Sequence, residues 1–180
     1  VGILQLTPTV PEKKLIAQGT RIYQVIEEDF DVWARLLVSG NFDADGQAAY
    51  GFLIAIVVGS DPTRAVAIGN KPYRDGVNQL ASVVVIDQFG DSAGEQDEWA
   101  QASEGANFVR LQRRGSVFHA YYSTAGASNV PSAESDWTEA DRAGEVISGS
   151  GPVQLGMGAY ETNAGTSQSQ FFYFRNWFPS

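Results

Sequence analysis

Carboxylates at positions i, i+2 and i+4 of a β-strand are one arrangement that can hydrolyse a glycosidic bond. That spacing turns them into one cleft and holds an acid close to a nucleophile. The densest acidic string here is Glu95-Gln96-Asp97-Glu98. On a strand Glu98 would point away from Glu95 and Asp97, and the string lies in a polar stretch that reads as a loop. A solvated acidic loop is therefore expected there, and catalytic residues are expected to be none.

Metal and base chemistry have little material. The chain has no cysteine and one histidine, His119, which excludes disulfides, thiolate sites and multi-histidine sites. Asn41-Phe42-Asp43-Ala44-Asp45-Gly46 resembles the opening of a calcium loop, with oxygen ligands at Asn41, Asp43 and Asp45 and glycine at the sixth position. The twelfth position is Phe52 rather than glutamate. The segment is either a calcium rim loop or an Asx-rich turn bonded to its own backbone. Calcium is accordingly the one cofactor to consider. His119 shares a strand face with Val117 and Tyr121, so stacking or a sheet-face hydrogen bond is expected of it rather than a triad role.

Binding chemistry is better supplied. Arg110 and Arg114 fall on one face of a short basic strand, with His119 and Tyr121 near them across a hairpin. They form either an anion or sugar platform, or an outward face whose arginines pair with acidic loops. Trp99 and Trp137 stand in polar segments, and Trp33 stands on the polar side of its strand. Tryptophan in such places is a lid over a core or a stacking surface for a sugar ring or a protein partner. The candidate ligand-binding set is therefore Trp99, Trp137, Arg110, Arg114, His119 and Tyr121.

These residues need strands to hold them. The chain has 180 residues, one domain's length, with 12 Lys and Arg against 21 Asp and Glu and a net charge of −9. That balance argues against nucleic acid or an anionic membrane as partner. The longest apolar run, Ala48 to Gly59, is too short to insert across a bilayer, which takes about 20 residues. Val and Ile total 26 against 9 Leu, which favours the pleated surface of a sheet.

Phe30 to Ser39 alternates with period two, setting Phe30, Val32, Ala34, Leu36 and Val38 on one face. Tyr50 to Val58 and Ser82 to Asp87 read as buried strands, and the simplest pairing makes a hairpin of the first two across Asn41 to Gly46. Phe89 to Asn107 reads as a loop with one helical turn near Glu95 to Gln101. Phe108 to Arg114 and Val117 to Ser123 form a hairpin about Gly115-Ser116. A polar insertion follows from Thr124 to Gly151, and Val153 to Tyr160 and Phe171 to Phe178 close the chain. Residues 1–20, with Pro8 and Pro11, read as an extended arm or edge strand before a domain over 21–180. Residue 1 is Val, so the chain is expected to be a processed or excised segment. The pattern predicts an all-β, antiparallel β-sandwich.

Three segments carry a family resemblance. FVRLQRRGSVFHAYYSTAG, Phe108 to Gly126, resembles a central hairpin of concanavalin A-like, LamG-type jelly-roll domains. DFDVWARL, Asp29 to Leu36, is similar to an earlier strand of theirs, and LGMGAYETN with FFYFRNW is similar to their closing strands. They occur in the family's order. Ala125-Gly126 stands where the family has Asp-Gly, and a long insertion delays its tryptophan to Trp137. The resemblance implies two facing sheets and a choice of roles, since fold alone does not select one. The expectation is a non-catalytic binding or structural module of a cell-surface, secreted or virion assembly, binding glycan or a protein partner, with self-association open to it. A polysaccharide-active hydrolase or lyase on the same fold is the alternative.

Overall fold

The computed structural model describes residues 3–6, 20–39, 49–59, 63–70, 80–89, 98–104, 108–126, 128–140, 147–161 and 168–176. Thirteen strands occur among them: β1 (Ile3–Leu6), β2 (Thr20–Ile26), β3 (Phe30–Ser39), β4 (Ala49–Val57), β5 (Thr63–Asn70), β6 (Leu80–Phe89), β7 (Glu98–Glu104), β8 (Phe108–Arg114), β9 (Val117–Ser123), β10 (Thr138–Glu139), β11 (Ile147–Ser148), β12 (Val153–Glu161) and β13 (Gln168–Asn176). They build an antiparallel sandwich. One sheet has seven strands in the order β1-β13-β3-β8-β9-β10, with β11 also on β9; the other has six in the order β2-β12-β4-β5-β6-β7. No helix among the described residues is long and apolar enough to cross a membrane.

Period two explains the core. Phe30, Val32, Ala34, Leu36 and Val38 of β3 point inward, as their spacing predicts, and meet Leu53, Ala55 and Val57 of β4, Val66 and Ile68 of β5, and Val153 and Leu155 of β12. From the β8–β9 hairpin, Val109, Leu111, Phe118, Ala120 and Tyr122 complete the layer. Each fully buried aliphatic or aromatic side chain contributes about 1.5–3 kcal/mol, so this layer is the main source of stability. Gly115 turns the hairpin at φ +59, a conformation that glycine adopts without a Cβ clash. Its N–H donates to Asp29 Oδ1 at 2.7 Å, which ties the turn to the start of β3.

Several expectations are corrected. β3 and β4 do not form a hairpin: β3 pairs with β8 and β13, whereas β4 pairs with β12 and β5. Two consecutive strands that each have an apolar face can close on one core from opposite sheets, and sequence proximity does not choose between that and pairing. Glu98 to Glu104 is the strand β7, on the free end of the six-stranded sheet beside β6, not a loop with a helical turn. Its polar composition suits an edge, where charge discourages further pairing. Thr63 to Asn70, between two prolines, is also a strand. The N-terminal segment, read as an extended arm or edge strand, is an edge strand over Ile3 to Leu6, where it pairs with β13.

Gly156 on β12 sits where β2 comes closest. A Cβ there would meet the Ile22 carbonyl oxygen and stand 2.8 Å from Tyr23 Cα. Gly156→Ala is therefore expected to destabilise the fold by about 1–3 kcal/mol, the usual range for overpacking, seen as a lower urea midpoint. An unchanged midpoint would mean that β2 is not held this closely.

Candidate functional site

The outward face of the seven-stranded sheet carries Arg110, Arg114, His119 and Tyr121 of the residues that chemistry singled out. Register explains how. Trp33 of β3 lies opposite Arg110 of β8, and Asp31 lies opposite Gln112. Across the next ladder Arg110 faces Tyr121 and Gln112 faces His119, and Tyr121 in turn faces Glu139 of β10. Since opposed residues share a face, Asp31, Trp33, Arg110, Gln112, His119, Tyr121 and Glu139 stand on one surface.

Arg110 is its centre. Its Nε donates to Asp31 Oδ1 and its Nη2 to Asp31 Oδ2, both at 2.7 Å. Nη1 donates to Glu134 Oε2 at 2.6 Å and Nη2 to Glu134 Oε1 at 3.1 Å. The planar guanidinium thus takes two carboxylates, each bidentately, which a lysine could not do. Gln112 Nε2 adds a hydrogen bond to Asp31 Oδ2. The Arg110 carbon centre lies 4.9 Å from the Tyr121 ring centroid and 5.7 Å from that of Trp137, within cation–π range. Burial alone would lower the Arg110 pKa, but the bonds from Asp31 and Glu134 outweigh it and hold the value above the usual arginine range.

The polar insertion is what closes over this group. Glu134 to Asp136 forms one 3-10 turn, with Trp137 N–H donating to Glu134 O at 3.1 Å. The Asp136 carboxylate accepts from the N–H groups of Ser132 and Ala133 at 2.8 and 2.9 Å. Those two bonds, Ser132's first, hold its pKa below the ordinary 3.8. Trp137 then turns inward, packing on Trp33 and Phe108 with Tyr121 and Ala125 at the margin. The Trp33 and Phe108 rings are tilted at 55° with centroids 5.9 Å apart. A second, smaller core is thereby formed outside the sandwich.

The expected ligand-binding set divides accordingly. Arg110, 1 % exposed, and Trp137, 8 % exposed, are not an open platform: one is bonded to two carboxylates and the other is a lid. Arg114 remains on the surface, its Nη2 3.6 Å from Asp31 Oδ2. His119 and Tyr121 lie at the rim of the lid, with rings stacked at 20° and centroids 6.2 Å apart. His119 Nδ1 is hydrogen-bonded to Glu139 Oε1 at 2.7 Å. Burial, and then the Glu139 charge, raise the Tyr121 pKa, so its hydroxyl stays protonated and able to donate. Trp99 lies on β7 opposite Val83, away from this surface in the other sheet. Asn41, Asp43 and Asp45, with Glu95 and Asp97, lie outside the described residues; among the described residues no group of three or more His, Cys, Asp or Glu could hold a metal ion.

Asp31 and Glu134 were not singled out from sequence as site residues. Asp31 carried a usable signal: an acid two positions from Trp33 on the polar face of a strand that faces the basic one. Glu134 carried none, being 24 positions from Arg110 in a segment without periodicity.

No family model matches the chain, and no curated protein sequence matches it. Among solved structures it is similar to a protein of unknown function from Saccharomyces cerevisiae, with a TM-score of 0.60 and 14% identity over 99% of this chain and 88% of that one. At that identity the likeness shows a shared fold.

Removing one partner of a buried charge pair costs about 3–5 kcal/mol because it strands the other. Asp31→Ala is expected to lie in that range, and Glu134→Ala, whose side chain is 58% exposed, nearer 1 kcal/mol after solvent screening; urea unfolding measures both. Equal costs would contradict the ranking. Asp136 gives a pH test. Its depressed folded-state pKa means that its stabilisation is present above the ordinary 3.8 and is lost as pH falls through the folded value. The gap in urea midpoint between wild type and Asp136→Asn should therefore be widest near neutrality and shrink below about pH 4. A gap independent of pH would contradict the assignment.

Proposed function

We propose that this sandwich is a non-catalytic binding module, with the rim shelf of His119, Tyr121 and Glu139 as its contact surface for glycan. The observation that carries this reading is the stacked His119–Tyr121 pair with Glu139 beside it. Such a shelf offers an aromatic surface for the apolar face of a sugar ring and polar atoms for its hydroxyls. Beneath it, Arg110 and Trp137 hold the shelf in place and are not themselves the contact.

Support for a non-catalytic role comes from how the carboxylates of this surface are used. A glycosidase needs an acid and a base or nucleophile that can exchange protons. Asp31 and Glu134 are both bonded to one guanidinium, so their oxygens are engaged by Arg110 rather than set on either side of a scissile bond. The enzyme alternative would thus have to draw on carboxylates other than Asp31 and Glu134.

We also assign the domain to the concanavalin A-like superfamily. In support, the segments that carry the resemblance fall on β3, the β8–β9 hairpin, β12 and β13, and β13-β3-β8-β9 are neighbours in one sheet. By this reading the module works at a cell surface, in a secreted assembly or on a virion.

A glycan array probed with the full chain is expected to give at least one hit. His119→Ala and Tyr121→Ala should each weaken that hit about tenfold or more, within the 1–3 kcal/mol typical of a lost stacking or hydrogen-bonding contact. His119→Ala, at a half-buried position on the sheet surface, should leave the thermal midpoint within a few degrees of wild type. No hit, or hits indifferent to both changes, would remove the reading.

A further inference from the structure

The two ends of the six-stranded sheet are built differently. At one end β7 begins and ends on glutamate, Glu98 and Glu104, and its pairing with β6 shifts register between Ala81 and Val83. Charges and irregular pairing are the ordinary means of discouraging a further strand. At the other end β2 has no such shift, and its one charge, Arg21, stands near its start. Its ladder with β12 runs from Thr20 to Ile26 without a register shift, and from Ile22 to Ile26 it carries no charge and no proline. Among the described residues β2 pairs with β12 on one side, and the strand order ends there.

The same strand is apolar where it meets solvent. Ile22, Tyr23 and Val25 are 50%, 52% and 56% exposed, three of the six large apolar side chains that are exposed among the described residues. A regular edge, uncharged from Ile22 to Ile26 and with apolar side chains on both faces, is a template for another strand.

The identity of that strand follows from the charges at its ends. Arg21 precedes the apolar run, and Glu27-Glu28-Asp29 follow it. We infer that β2 is a self-association edge: two copies pair their β2 strands antiparallel about a two-fold axis at Gln24, joining two six-stranded sheets into one of twelve. In this register Arg21 of each copy lies opposite Glu27 of the other, Ile22 opposite Ile26, and Tyr23 opposite Val25. Opposed residues must share a face, and they do. Ile22, Gln24 and Ile26 pair with Met157, Leu155 and Val153 on the core side of the sheet, whereas Tyr23 and Val25 alternate with them on the outer side. Sliding by one step to a centre at Tyr23 would set Arg21 against Val25. Sliding the other way, to a centre at Val25, would set Tyr23 against Glu27. A centre at Val25 would also oppose Arg21 to Asp29, but it sets Ile22 and Tyr23 against Glu28 and Glu27; the Gln24 centre opposes Arg21 to an acid and keeps Ile22 and Tyr23 against apolar residues.

The interface is isologous, so each Arg21–Glu27 pair occurs twice. Its surface is independent of the glycan shelf, which lies on the other sheet.

Sedimentation velocity on the full chain, with circular dichroism as a check on folding, tests this directly. The wild type is expected to show a monomer–dimer equilibrium with a dissociation constant on the order of 10 µM, as suits an interface at the small end of specific contacts. Glu27→Arg and Arg21→Glu should each weaken it about tenfold or more, since each creates two like-charge pairs. Combining Arg21→Glu with Glu27→Arg should restore the affinity to within about threefold of wild type, because opposite charges again face each other. A monomer at every concentration up to about 300 µM, well above the expected midpoint, would overturn the inference. A dimer indifferent to the single changes, or one not restored by the pair, would overturn it equally.

Discussion

The outer half of this molecule depends on one guanidinium. Arg110 is buried at the centre of a sheet face, where an unpaired charge would cost several kcal/mol. Asp31 meets it from the neighbouring strand and Glu134 from a segment with little regular structure of its own. That second contact fixes the 124–140 cover on the sheet. The requirement runs in one direction: the cover can lie here because the arginine needs a second carboxylate, and Trp137 can then seal the Trp33–Phe108 surface. Charge pairing and apolar burial thus reinforce each other at the same spot.

The molecule consequently has two cores of different kinds. The inner one is made of alternating aliphatic and aromatic residues from both sheets and is indifferent to pH. The outer one is aromatic, small and fixed by ion pairs, so salt and acid should affect it first. The net charge of −9 looks different in this light. The basic strand does not present an isolated positive face to solvent, because Asp31 and Glu134 are bonded to its central arginine and Arg113 is turned to backbone carbonyls of Gly115 and Gly151. What remains outward is the histidine–tyrosine shelf and the exposed Arg114.

Much of this was legible in the residues, and what was not has physical reasons. β3 and the β8–β9 hairpin have clean period-two patterns, so their limits and inward faces could be read. The placing of Trp33 and Arg110 on the outward side followed from the same alternation. The pairing of β3 with β4 could not be read, because an apolar face says that a strand is buried and not which sheet buries it. β7 was hidden by its polar edge composition, and β5 by the small residues Ala65, Ala67 and Gly69 between flanking prolines. In the site, the reading of arginines paired with acidic loops holds for Arg110, whereas the open platform does not. Nothing local in Glu134 announces its partner, since a long-range ion pair leaves no trace in spacing.

Amide hydrogen exchange on Arg110→Met tests the central dependence most directly. The N–H groups of Asn129, Trp137 and Ala140 are bonded to Gly126, Glu134 and Ala120, and all three lie in the cover. If Arg110 fixes that cover, these amides lose protection in the variant while those of Leu53 and Ala55, in the inner core, keep most of theirs. Uniform loss across both groups, or no loss in the cover, would contradict the account.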